Sequence, residues 1–65
     1  MIRINGEAAE NIAGKNVAEY LAESGYDTKR VAVELNGDIL SKAQYGTTFF
    51  QDGDIVEIVS FVGGG

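Results

Sequence analysis

The sequence predicts an α+β domain, a small mixed sheet with one helix on one face, and three observations carry that expectation. Short alternating segments recur along the chain, two Asn-Gly pairs divide them into hairpins, and one stretch has helical spacing. At 65 residues the chain holds one domain, and a domain of this size buries only about 60% of its unfolded surface. Its core is therefore thin.

Met1 to Asn5 alternates, with Ile2 and Ile4 on one face and Arg3 on the other, as a half-buried strand does. Asn5-Gly6 is a type I′ hairpin signal, which makes Glu7 to Ile12 the returning strand, weakened by Ala8 and Ala9. Asn16 and Glu19 have capping-box spacing, so the helix starts at Val17 and ends near Ser24, with Gly25 just past it. Val17 and Leu21 fall on its core stripe, flanked by Ala18 and Ala22. Val31, Val33 and Leu35 alternate with Ala32 and Glu34 as a third strand, and Asn36-Gly37 turns it into a fourth beginning at Asp38. A short helical turn is expected at Lys42 to Tyr45, then a turn at Asp52-Gly53 before the last strand. Tyr20, Tyr26 and Tyr45 are expected to close the edges of the core.

The last strand, Ile55 to Val62, is apolar on both faces except at Glu57 and Ser60, which suits a central position. Val56 and Ile58 share one face; Ile55, Val59 and Phe61 share the other with Glu57. One helix covers one face only, which leaves Ile55, Val59 and Phe61 either as an uncovered docking patch or, with the faces reversed, as core. The first and last strands then pair in parallel at the centre. This is a β-grasp arrangement of about four to five strands, with a domain over residues 1–62 and a glycine tail over residues 63–65.

Composition narrows the function. Neither Cys nor His is present, which removes disulfides, thiol chemistry, the usual general base and the commonest metal ligand. Catalysis within this chain is not expected, and no catalytic or metal-binding residue is assigned. Asp52 and Asp54 flank a glycine as turn residues do and lack the further ligands a cation needs. Ten acidic residues against five basic ones give a net charge of −5, which disfavours nucleic acid and anionic membranes. That charge fits either plain solubility or a partner with a basic docking face. No apolar run approaches the about 20 residues of a membrane span, and the expected location is the cytoplasm.

Gly63, Gly64 and Gly65 form a run with no following element. Three glycines oppose ordering, yet without Cβ atoms they make a strip slender enough to thread a narrow channel. Two readings stay open: a frayed or residual tail, or a carrier that presents the Gly65 carboxylate to another protein. A carboxylate accepts no nucleophile until it is activated, as by adenylation. Gly14-Lys15-Asn16 is only a fragment of a phosphate-binding loop and is better read as the helix cap, so ATP and Mg²⁺ would belong to a partner and no cofactor is bound here. With no Cys, carried sulfur would sit on the Gly65 carbonyl as a thiocarboxylate.

Four segments together resemble the ThiS family, sulfur-carrier proteins of thiamine biosynthesis in the ubiquitin-like β-grasp superfamily. They are Ile4-Asn5-Gly6-Glu7, Val31 to Asp38, Asp52 to Val59, and the terminal Gly64-Gly65, in the family's order. The resemblance implies that a ubiquitin-activating-type enzyme adenylates Gly65. A sulfurtransferase and cysteine desulfurase system then supplies sulfur, and the thiocarboxylate donates it to thiazole synthase. Ser41, where a Pro or other turn-former is expected, and the bulky Phe49-Phe50 pair depart from the family pattern. A molybdopterin-synthase small subunit or a ubiquitin-like modifier would use the same fold and tail. A non-catalytic β-grasp interaction module would need no free carboxylate.

Overall fold

The computed structural model describes residues 1–61. The expected tail, Gly63, Gly64 and Gly65, lies outside the described residues. Five strands and one helix follow the expected order: β1 (Ile2–Ile4), β2 (Glu7–Ala9), α1 (Val17–Glu23), β3 (Val31–Leu35), β4 (Asp38–Leu40) and β5 (Ile55–Ser60). They form one mixed sheet in the order β2-β1-β5-β3-β4, with β1 and β5 parallel and every other pair antiparallel. This is the β-grasp arrangement.

Each Asn-Gly pair makes the two-residue turn its sequence calls for. Asn5 and Gly6 have φ of 52° and 82°, Asn36 and Gly37 of 52° and 89°, and two successive positive φ values define a type I′ turn. Helix α1 begins in a complete capping box. Asn16 Oδ1 accepts from the Glu19 N–H at 2.7 Å, and Glu19 Oε1 accepts from the Asn16 N–H at 3.0 Å. Gly25, at φ 82°, closes the other end. The helix has only seven residues, too few to be stable alone, so its cap and its buried face hold it together. Asn16→Ala is expected to lower unfolding free energy by about 1 kcal/mol in a urea titration.

That buried face is Val17 and Leu21, set against Ile2 and Ile4 of β1, Val31 and Val33 of β3, and Val56 and Ile58 of β5. Ile12, Tyr45 and Phe50 complete the core from the loops. The Tyr20 ring meets Phe50 edge-on with centroids 5.7 Å apart.

Four local expectations need correction. Strand β2 stops at Ala9 rather than Ile12, because Asn11 takes φ 64° and turns Ile12 into the core. Tyr45 is a core residue, not an edge closure: the Ala18 N–H donates to the Tyr45 carbonyl at 3.0 Å and draws the ring inward. Ala18 packs on the core, whereas Ala22 is exposed. Strand β5 ends at Ser60, although the Phe61 N–H still donates to the Arg30 carbonyl at 2.7 Å. A 3-10 turn at Thr28–Arg30, capped by Asp27 Oδ1 on the Lys29 N–H, had no periodicity to announce it.

Candidate functional site

The helix covers one face of the sheet, and the other carries the apolar residues of β5 singled out from sequence. Ile55 and Val59 are each 57% exposed and Phe61 is 58% exposed, while Val56 and Ile58 between them are buried. The strand's strict alternation produces this split, since successive side chains leave opposite faces. The three do not form one continuous patch. Ile55 and Val59 lie about 13 Å apart along the strand, with Glu57 between them. Val59 instead has Ala32 of β3 as its neighbour, and Ile39 of β4, 80% exposed, stands across from Glu34. Ile39 was not singled out from sequence, because a three-residue strand gives too short a pattern.

Glu34 and Glu57 are directly opposite each other on β3 and β5. Like charges in that relation oppose strand pairing. Among the described residues neither carboxylate joins an ion pair; those present link the Met1 amino group to Asp52, Lys15 to Glu23, and Arg30 to Asp27. The uncovered face is therefore an apolar field with a divided negative charge near its middle.

Both turn asparagines reach β5. Asn5 Oδ1 accepts from the Ile58 N–H at 2.7 Å and Asn5 Nδ2 donates to the Ile58 carbonyl at 3.1 Å, so the carboxamide stands in for a peptide group after β1 has turned away. Asn36 Oδ1 accepts from the Ile55 N–H at 2.8 Å, the Asn36 N–H donates to the Ile55 carbonyl at 2.7 Å, and Asn36 Nδ2 donates to Asp54 Oδ1 at 3.0 Å. Strand β5, which leads towards residues 62–65, is thus clamped from both sides. Sequence reasoning took these asparagines only as turn-formers; the signal it lacked is that Asn, unlike Asp, both donates and accepts.

Asp52 and Asp54 are turn residues. Asp54 Oδ2 accepts from the Gln51 N–H at 2.8 Å. Asp52 contacts the Met1 amino group, whose hydrogen bond and charge hold its carboxyl below the usual value. Among the described residues no three acidic side chains gather as a metal would require. Gly14-Lys15-Asn16 is occupied by capping, with Lys15 paired to Glu23. No helix of the described residues is long and apolar enough to cross a membrane.

Comparison with known proteins agrees with this architecture. The ThiS family model matches residues 2–65. The chain is 37% identical to the sulfur carrier protein ThiS of Thermus thermophilus over 65 residues, covering 100% of both. It is 45% identical over 62 residues to a thiazole synthase of Paramagnetospirillum magneticum, covering 95% of this chain and 19% of that protein. The chain therefore spans about a fifth of the length of the thiazole synthases it matches, a second being that of Magnetococcus marinus at 38% identity. The crystal structure of the thiamine biosynthesis protein ThiS from Geobacter metallireducens superposes with a TM-score of 0.77 at 34% identity, covering 98% of this chain and 97% of that one. With the fold, the hairpins and the match to residue 65 in agreement, the chain belongs to the ThiS family.

Proposed function

We propose that this chain is a sulfur carrier of thiamine biosynthesis, acted on by partner enzymes rather than catalysing a reaction itself. The observation that carries the reading is the match to a ThiS sulfur carrier over 100% of both chains, which includes the glycine run Gly63 to Gly65. The Gly65 carboxylate attacks the α-phosphorus of ATP on a ubiquitin-activating-type enzyme, with Mg²⁺ offsetting phosphate charge and pyrophosphate leaving. A persulfide formed from cysteine by a cysteine desulfurase and sulfurtransferase system then attacks the Gly65 carbonyl and displaces AMP, giving an acyl disulfide. A second thiol of the partner, since this chain has no Cys, cleaves the S–S bond, leaving a disulfide on the partner and the thiocarboxylate on Gly65. The resulting thiocarboxylate donates its sulfur to thiazole synthase. Gly63 and Gly64 supply the slender approach, and the setting is the cytoplasm.

The uncovered sheet face is where a partner docks. Ile55 and Val59 lie on β5 and Phe61 just beyond it, and exposed apolar side chains on an uncovered sheet face usually mark an interface. A basic group of the partner would meet Glu34 and Glu57, whose burial without a cation is costly. Phe61→Asp or Val59→Asp is expected to weaken binding to the activating enzyme by about 2 kcal/mol or more, the scale of an interface anchor. Its urea midpoint should not move, since both side chains are exposed. A variant that binds like wild type removes this face from the interface.

A second reading is favoured by the thiazole synthase matches: the same carrier joined within one polypeptide to the enzyme it serves. Intact mass of the protein purified from its host tests both readings. A 6.9 kDa species with one carboxyl oxygen replaced by sulfur supports the free carrier, and a much larger mass supports the joined form.

A further inference from the structure

The two Asn-Gly turns look alike in sequence but hold their carboxamides differently. Asn-Gly is prone to one intramolecular reaction. The glycine amide nitrogen attacks the asparagine Cγ, the Cγ–Nδ2 bond breaks, and ammonia leaves a five-membered imide. Water then opens the imide at either carbonyl to give aspartate or isoaspartate. Glycine permits the attack because no Cβ obstructs its nitrogen. Water is the only co-reactant, and no electrons are exchanged with another molecule. The ring cannot close while the turn keeps its type I′ shape and the carboxamide stays bonded, so the rate follows local opening.

We propose that Asn36 is a site of spontaneous deamidation in the folded protein and that Asn5 is protected from it. Asn5 gives both ends of its carboxamide to the main chain of Ile58, at the part-buried centre of the sheet. Asn36 has exposed bonds, and its amide donates to a side chain, Asp54, rather than to fixed backbone. Asn36 therefore releases more easily.

The product harms the place where it forms. An aspartate at this position sets a second carboxylate where the Asn36 amide now meets Asp54 Oδ1 at 3.0 Å. Isoaspartate also lengthens the backbone by one methylene inside a two-residue turn, which the pairing of Leu35 with Asp38 cannot absorb. Either product loosens the start of β5 at Ile55, the strand whose outer face is the candidate docking surface.

The test incubates the full chain at neutral to mildly alkaline pH and maps aspartate and isoaspartate by peptide mass and isoaspartyl methyltransfer. Asn36 should convert about tenfold faster than Asn5 in buffer, because each carboxamide makes two hydrogen bonds and the exposed pair at Asn36 opens more easily than the part-buried pair at Asn5. In concentrated urea the two rates should converge. Equal rates in buffer, or faster loss of Asn5, overturn the proposal. For the consequence, Asn36→Asp should melt below wild type, and adding Asp54→Asn should recover most of the loss. In that pair the new amide donates to the new carboxylate while its oxygen still accepts from the Gln51 N–H. A double variant no more stable than Asn36→Asp overturns the assigned repulsion.

Discussion

Protein lengthened by one residue after Gly65, or shortened by removal of Gly65, is expected to support no ATP–pyrophosphate exchange with the activating enzyme. Exchange requires a carboxylate to attack ATP and an acyl-adenylate to return it. An added residue moves that carboxylate outward by about 3.5 Å and replaces the old one with an amide. Displacement of about 1 Å at a reacting centre can already cost two orders of magnitude in rate. Neither change touches the core side chains described above, which run from Ile2 to Ile58. Urea unfolding should therefore match wild type while exchange falls to background. Full exchange by the lengthened protein would overturn the carrier reading and leave the interaction module as its replacement.

The largest expected loss of stability comes from Leu21→Ala. Leu21 is fully buried at the centre of α1's inner stripe, where it faces both hairpins and β5. Leu→Ala at such positions costs about 3–5 kcal/mol, from lost transfer energy and a cavity that closes only in part. At about 0.05–0.15 kcal/mol per residue, the whole domain has about 3–10 kcal/mol to lose. The variant should be substantially unfolded at 25 °C by circular dichroism. Ile39→Ala removes a similar apolar side chain from an 80% exposed position and should shift stability by no more than about 0.5 kcal/mol. Equal losses from the two would mean that Leu21 is not part of the core described here.

Sequence made the hairpins, the helix and the central strand legible because each rests on short-range chemistry. Positive φ at Asn-Gly, a cap three residues long and strict alternation in Ile55–Ser60 are all local constraints. What sequence left out depends on contacts between distant segments. Tyr45 is drawn inward by a hydrogen bond to the helix, and Ile12 by a backbone reversal at Asn11. No periodicity encodes either. At the candidate site, the outward face of β5 was legible and the Glu34–Glu57 opposition was not, because it depends on the register between two strands far apart in the chain. The asparagine clamps were hidden for the same reason.

Among the described residues β5 is the last strand in sequence, and yet it lies in the middle of the sheet. The hairpins on either side of it do not pair with each other, so until residues 55–60 arrive they have no common neighbour in the sheet. The Asn5 clamp joins residues 53 apart, and closing so long a loop before its contacts reward it slows folding. On the ribosome, the earlier segments therefore emerge as two hairpins and a short helix that cannot yet form one hydrophobic core. The domain becomes a single cooperative unit only when β5 slides between them. A nascent chain stalled before Ile55 should be readily cleaved by protease, and one released beyond Ser60 should resist.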